Sequence, residues 1–220
     1  MTCRHRKTPD SSLTKDSDQP REHHGDKPTA TTIAMMLLLL GDSDISRWPA
    51  DMLPAWPKGE VEVQGYSGAT LEQVVDKFPE KAEIVIFCAG ENDVGSGIEI
   101  QKSLDAIDRL LNKTFHHLIF LGPKFEPWQN DDLASRKQYT KLSKGLRRRC
   151  EGKSNVTFVD CLAMFCGDTA NLPAILGGKA KADAKFFNKD QLHLSHEGYR
   201  KWKQVVARVV EHCEQGLTTF

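Results

Sequence analysis

Two patterns of apolar and polar residues alternate along the chain. Solid apolar runs are typical of strands buried on both faces, and apolar residues recurring every three or four positions are typical of amphipathic helices. The predicted strands are Thr32–Leu40, Val61–Gly65, Glu83–Ala89, His117–Leu121 and Val156–Val159. The predicted helices are Leu71–Phe78, with Ser67 or Thr70 as its N-cap, Ile98–Leu111, Asp131–Arg149 and Ser195–Cys213. This alternation predicts an α/β fold with three layers, α/β/α, around a parallel five-stranded sheet.

The segment before the first strand is different in composition. Residues 1–30 are polar and almost free of large apolar side chains. Because such a segment cannot bury enough surface to offset the entropy of ordering, we expect it to be disordered. A single domain is then expected over residues 31–220, a length that one hydrophobic core can serve.

Charge and hydropathy limit the classes of partner. The chain has 30 basic and 30 acidic residues, so nothing in its net charge points to nucleic acid or to an anionic membrane. The longest apolar run, Ile33–Leu40, is far shorter than the roughly 20 residues of a membrane-spanning helix. The start of the chain lacks an apolar signal-peptide core, so we expect a cytoplasmic protein.

The six cysteines show no paired spacing of the kind that holds zinc. Cys161 and Cys166 lie five positions apart, and a disulfide between them stays an alternative. Unconnected thiols are favoured, because the expected compartment is reducing.

Polar residues follow the ends of the predicted strands. Gly41-Asp42-Ser43 comes directly after the first strand, the turn Gly65–Thr70 after the second, and Gly90-Glu91-Asn92-Asp93 after the third. In open parallel sheets, ligands bind beyond the carboxyl ends of the strands. These three segments are therefore expected to converge on one rim.

Together with Asp190-Gln191-Leu192-His193, these segments hold the parts needed for acyl transfer. A serine hydroxyl needs an adjacent base, and His193 can serve Ser43 if Asp190 binds the other ring nitrogen and fixes the tautomer. The side chain of Asn92 and the backbone N–H groups of Gly68 and Ser43 offer a three-donor oxyanion hole. The sequence thus predicts Ser43, His193 and Asp190 as catalytic residues.

Each fragment taken alone also has a plainer interpretation. Gly41-Asp42-Ser43 can be an ordinary turn with an N-cap, and Gly90–Asp93 a turn that needs a positive φ. His193 can be a structural histidine, with His196 as the base instead. The joint order and placement at strand ends favour the hydrolase hypothesis.

The four segments resemble the conserved blocks of the GDSL/SGNH hydrolase family. Gly41-Asp42-Ser43 matches the block with the Ser, Gly68 the block with the Gly, Gly90–Asp93 the block with the Asn, and Asp190–His193 the block with the His. The resemblance continues into Leu194–Tyr199 and spans about residues 32–213. It implies a flavodoxin-like three-layer fold and ester or thioester hydrolysis without a metal or other cofactor.

One position departs from that family pattern, because Asp44 stands where a leucine is usual. A carboxylate there either disfavours anionic or long lipid substrates, or lies harmlessly in the first turn of a helix. Trp48, Trp56, Phe125 and Trp128 lie in loops on the same rim, where they either line a substrate pocket or pack the loops. Asp44, Trp48, Phe125 and Trp128 are the candidate substrate-binding residues.

The sequence therefore predicts a serine esterase that cleaves a short or medium acyl O-ester of a small molecule through an acyl-serine intermediate.

Two rival functions stay open. One is a metal-dependent phosphoesterase, although the chain lacks the His-rich ligand blocks that such sites use. The other is a catalytically inactive SGNH-like binding module. No metal, cofactor or nucleic-acid partner is predicted, and the sequence gives no indication of the oligomeric state.

Overall fold

A twisted sheet of five parallel strands forms the centre of the computed structural model, which describes residues 36–167 and 180–217. Residues Ala34–Phe220 form one compact unit. The predicted disordered segment, residues 1–30, and the start of the first predicted strand lie outside the described residues.

The five strands match the five predicted apolar runs in number and order. They are β1 Leu37–Gly41, β2 Val61–Gly65, β3 Lys81–Cys88, β4 Thr114–Leu121 and β5 Val156–Val159. Their spatial order is β2-β1-β3-β4-β5, with every neighbouring pair parallel. This is the flavodoxin-like order. β2 lies on one side of β1, and the strands from β3 onward lie on the other side, so the strand order reverses between β1 and β3. Ligands bind at this point in open sheets of this kind.

The helices connect the strands and cover both faces. They are α1 Ser43–Ser46, α2 Leu71–Val75, α3 Glu91–Gly95, α4 Ile100–Leu111, α5 Leu133–Cys150 and α6 His196–Leu217. Thr70 is the N-cap of α2, as one of the two predicted alternatives had it, and forms a capping box with Gln73. The short helices α1 and α3 were not predicted, because four or five residues are too few to show a period.

Alternate residues of each strand point to two separate hydrophobic layers. Leu38, Leu40, Val85, Phe87 and Phe120 face the layer formed with α2, α4 and α5. Leu37, Leu39, Ile84, Ile86 and Ile119 face the layer that includes Trp202, Val206 and Val210 of α6. The three-layer α/β/α prediction is confirmed, and it explains the solid apolar runs within the central strands.

Within the described residues, no helix is both long and apolar enough to cross a lipid bilayer. Cys161 and Cys166 are both buried free thiols, so the structure bears out the favoured interpretation over a disulfide. The Pro and Gly residues after Cys166 predict a long loop to about Asn188, and this segment lies partly outside the described residues.

Candidate active site

Ser43 is the first residue of α1, directly beyond the carboxyl end of β1. Gly41 makes this turn sterically feasible, because a Cβ there would lie only 2.2 Å from the carbonyl oxygen of Cys88 on the neighbouring strand. Asp42 is the N-cap, and its Oδ1 accepts a hydrogen bond of 3.1 Å from the N–H of Asp44. The turn therefore holds a partly exposed serine at the end of the sheet.

Asp190 and His193 lie in the loop just before α6. Asp190 Oδ2 is 2.8 Å from His193 Nδ1, and Asp190 Oδ1 accepts the backbone N–H groups of Leu192 and His193, each at 3.0 Å. With its Nδ1 proton donated to the carboxylate, the ring keeps Nε2 free to accept a proton. A hydrogen bond of 2.8 Å from the N–H of Asn188 to the carbonyl of His193 closes the loop around this pair.

The hydrogen bonds lower the pKa of Asp190. Burial alone would raise it, but the His193 ring and the two backbone N–H groups outweigh burial and bring the pKa to about 2. The carboxylate is therefore ionised wherever the protein is folded under ordinary conditions, which is what an orienting partner of an imidazole requires.

Asn92 is the second residue of α3, beyond the carboxyl end of β3. Its Nδ2 donates to the carbonyl of Ala69 at 2.9 Å, which fixes the amide plane. An amide nitrogen carries two hydrogens, so one N–H remains to serve a ligand. Gly90, with φ of 122°, sets the entry into α3 at a conformation that side chains rarely adopt.

Ser43, Asn92, Asp190 and His193 all line one cavity of about 410 Å³. Asp44 and Trp128 line it as well, so two of the four candidate substrate-binding residues are in its wall. Segments from three distant parts of the chain thus meet where the strand order reverses. Gly68, which has φ of 76°, lines a neighbouring depression together with Tyr66, Ser67 and Ala69 and not this cavity.

Two predicted pocket aromatics need correction. Trp48 stacks on Trp202 with ring centroids 5.7 Å apart and donates its indole N–H to the carbonyl of Met52. Phe125 is fully buried against Tyr139 and under the guanidinium of Arg136. Both side chains belong to the packed interior. A large ring in the core loses more of its apolar surface to burial than a ring that lines an open cavity, so the core is the more favourable position. Trp56 is buried as well.

His196, the alternative base, has a different position. Its Nε2 is 3.0 Å from Asp51 Oδ2, both side chains are more than half exposed, and neither lines the cavity. The two aspartate–histidine pairs therefore differ in position, since Asp190 and His193 lie in the wall of the cavity that Ser43 also lines and Asp51 and His196 do not.

The cavity wall also contains a buried ionic cluster, which sequence reasoning missed. Lys124 Nζ lies 2.6 Å from Asp44 Oδ2, 2.6 Å from Glu91 Oε2 and 3.1 Å from Glu126 Oε1. The lysine side chain is only 1% exposed. Asp42 is buried beside these residues, so four carboxyl groups surround one ammonium group. The available sequence signal was the charged pair Lys124 and Glu126 within the otherwise apolar segment after β4.

Burial and mutual repulsion raise the pKa of carboxyl groups in this cluster. Loss of water raises the pKa of Asp42, and the charges of Asp44 and Glu91 raise it further. Burial likewise raises the pKa of Glu91 and of Glu126. For Lys124, burial acts to lower the pKa, but the charges of Asp44, Glu91 and Glu126 outweigh it, so the pKa is raised and the ammonium stays charged.

Asp42, Asp44 and Cys88 have potential metal-ligating atoms within 4.8 Å of one another. The donor set fits a metal poorly. Burial and the charges of Asp42 and Asp44 raise the pKa of the Cys88 thiol, whereas a metal binds the thiolate. One carboxylate oxygen of Asp44 is also already bound to Lys124.

A doubly wound parallel sheet with a serine, an asparagine amide and an aspartate–histidine pair at its switch point defines a three-layer α/β/α hydrolase. The chain belongs to the GDSL-like Lipase/Acylhydrolase family, whose model matches residues 28–201. It is accordingly a hydrolase that acts on ester bonds. No curated protein sequence matches this chain.

Solved structures share the fold at low identity. A member of the lipolytic protein G-D-S-L family from Veillonella parvula has a TM-score of 0.53 and 15% identity over 78% of this chain and 97% of its own. An acetyl xylan esterase variant from Geobacillus stearothermophilus has a TM-score of 0.53 and 18% identity over 80% and 95%. A carbohydrate esterase family 3 member from Talaromyces cellulolyticus has a TM-score of 0.53 and 14% identity over 82% and 99%. At such identities the likeness shows the fold alone.

Proposed function

We propose that this protein is a serine esterase that removes a short acyl group from a polar alcohol through an acyl-Ser43 intermediate. The observation that carries the proposal is the pairing of Asp190 with His193 in the wall of the cavity that Ser43 and Asn92 also line. Nucleophile, base and orienting carboxylate are the minimum set for this chemistry.

The proposed reaction has two balanced steps. Ser43 Oγ attacks the acyl carbon while His193 Nε2 takes its proton, and the tetrahedral intermediate expels the alcohol after the imidazolium returns that proton to the leaving oxygen. A water molecule then attacks the acyl carbon while His193 Nε2 takes one of its protons, and the second tetrahedral intermediate releases the acid as that proton passes to Ser43 Oγ. The amide of Asn92 and the backbone N–H of Ser43 are the proposed donors to the oxyanion. The backbone N–H of Gly68 is the proposed third donor: Gly68 itself lines the separate depression, but the carbonyl of its neighbour Ala69 accepts the hydrogen bond of the Asn92 amide.

The composition of the cavity wall supports a short acyl group. Asp44, Glu91, Lys124 and Glu126 lie beside Ser43, and a long alkyl chain against them would bury ionic groups next to hydrocarbon. The fold is shared with an acetyl xylan esterase and a carbohydrate esterase. An acetyl ester of a hydroxyl-rich alcohol, such as a carbohydrate, fits both observations.

The test is a series of p-nitrophenyl esters from acetyl to palmitoyl, assayed with the purified full chain and with Ser43→Ala. We expect kcat/KM to be highest for acetyl and to fall along the series, and Ser43→Ala to lose turnover while keeping its circular dichroism spectrum. A preference for palmitoyl would refute the short-acyl assignment, and full activity of Ser43→Ala would refute the nucleophile.

Two further measurements separate the rival functions. Turnover that survives dialysis against EDTA is expected, and its loss with recovery on adding a divalent ion would favour the metal-dependent phosphoesterase. Stoichiometric labelling of Ser43 by a fluorophosphonate, seen by mass spectrometry, is also expected. An unlabelled, inactive protein would favour the binding module.

A further inference from the structure

Two of the three carboxylates that meet at Lys124 come from the segments that carry the proposed reacting groups. Asp44 follows Ser43 directly on α1, and Glu91 precedes Asn92 directly on α3. Lys124 lies beyond the carboxyl end of β4, and its Nζ is 2.6 Å from a carboxylate oxygen of each. One ammonium group thereby connects the segment of the nucleophile to the segment of the amide donor.

The backbone of Lys124 strengthens this connection. Its N–H donates to Glu91 Oε1 at 2.7 Å, so Glu91 is bound through both oxygens by one residue. The third hydrogen of the ammonium group binds Glu126, whose other oxygen accepts the indole N–H of Trp128 at 2.5 Å. All three ammonium hydrogens have partners, so Lys124 has no hydrogen-bond donor left for a substrate.

Polar contacts continue from this lysine to the remaining proposed donor. Asn92 Nδ2 binds the carbonyl of Ala69, the neighbour of Gly68, and Asp93 Oδ2 accepts the N–H of Leu71 at 2.7 Å. On the other side, the hydroxyl of Tyr199 donates to the backbone carbonyl of Asp44 at 2.8 Å and connects α1 to α6, the helix that follows His193. These contacts therefore connect the Gly68 turn to α3, and α1 to α6.

The free-energy cost of burying these charged groups indicates that the cluster has a role besides stabilising the fold. Removing an ammonium group and three carboxyl groups from water is expensive, and apolar side chains of similar volume commonly stabilise a core as well or better. Asp44 Oδ1 is buried without a hydrogen-bond partner among the described residues, which adds to the cost.

We propose that Lys124 is a positioning residue that sets the spacing between Ser43 and Asn92 by binding Asp44 and Glu91. The inference rests on the proposed function, because it takes Ser43 as the nucleophile and Asn92 as an oxyanion donor. Lys124 touches neither reacting atom and acts through the two segments it connects. The connection between the two segments affects the reaction rate, because a misplacement of about 1 Å in a catalytic group costs on the order of 10²-fold in rate.

The test compares Lys124→Met with the parent chain on p-nitrophenyl acetate. We expect kcat to fall by about 10²-fold with a much smaller change in KM, and the rate of Ser43 labelling by a fluorophosphonate to fall in parallel. Leu110→Ala is the matched control, since Leu110 is a fully buried core residue of α4 away from the cluster. It lowers the melting temperature without touching the cluster and should leave kcat unchanged.

A second pair of variants guards against misfolding of Lys124→Met. Asp44→Asn keeps the size of the side chain and weakens one arm of the connection, so kcat should fall in the same direction and by less. The double variant Asp44→Asn with Lys124→Met should lose less than the product of the two single losses, because both changes break the same contact.

The outcomes are distinct. If the parent is active and Lys124→Met has an unchanged kcat, the positioning role is refuted and the esterase proposal stands. If Lys124→Met does not fold, an unchanged kcat in Asp44→Asn refutes the positioning role in the same way. A fall in kcat that Leu110→Ala reproduces would also refute it. A parent chain that cleaves no ester would overturn both proposals.

Discussion

His193 and Asp190 are bound to each other twice, through the ring Nδ1 at 2.8 Å and through the backbone N–H of His193 at 3.0 Å. His196 and Asp51 form a second pair of the same residue types at 3.0 Å, away from the cavity. The chain therefore supplies its own control for the role of an aspartate–histidine pair.

Asp190→Asn should lower kcat by about 10²-fold or more, because an amide favours the wrong tautomer of the ring. Asp51→Asn makes the same chemical change at the exposed pair and should leave kcat within experimental error. Both are measured with p-nitrophenyl acetate under saturating conditions. Equal losses in the two variants would remove Asp190 from the proposed triad.

The pH dependence of activity should change in a defined direction in Asp190→Asn. The pKa of Asp190, about 2, keeps the carboxylate charged throughout the acid limb of the rate profile. A neutral amide in the variant removes this negative charge from beside the proposed base. The acid limb of kcat/KM should therefore move to lower pH; movement to higher pH, or none, would contradict the pairing.

Asn92→Ala should lower kcat by about 10²- to 10³-fold with little change in KM, because an oxyanion donor acts in the transition state. Asn92 also has a structural bond to Ala69, so a structural control is needed. Ser103→Ala removes the 2.7 Å bond to Asp93 in the same segment. It should reduce stability by about 1 kcal/mol and leave kcat unchanged. A kcat of Asn92→Ala near that of the parent would remove Asn92 from the oxyanion hole.

The buried carboxyl of Asp42 should make stability fall as pH rises. Its pKa is raised in the folded protein by burial and by the charges of Asp44 and Glu91, so the folded state binds a proton that the unfolded state has released. The stabilisation is complete below the ordinary aspartate pKa of about 3.9 and is lost as pH rises through the folded value.

Asp42→Asn should remove this pH dependence, since the amide oxygen can still cap α1 and carries no charge. The free energy of unfolding of parent and variant is measured with urea between about pH 5 and about pH 8. The value for the variant minus the value for the parent should increase with pH, by at most about 1.4 kcal/mol per pH unit. A difference that is constant over this range would show that Asp42 does not hold the proton.

The sequence by itself determined the sheet, its order of elements and most of the candidate site. Solid apolar strands report burial on both faces, and Ser43 and Asn92 lie in short segments whose position at strand ends can be read locally. The aspartate–histidine contact was predictable because its partners are only three positions apart.

Only the tertiary structure decided which other side chains reach the cavity. Trp48 and Phe125 follow the same strands as the site residues but turn into the core, and Gly68 lines a separate depression. Lys124 and Asp44 are 80 positions apart, and no local pattern relates them. A buried ion pair depends on where two strands end in space and on the loss of water around both groups, and neither quantity is encoded in the neighbouring residues of either partner.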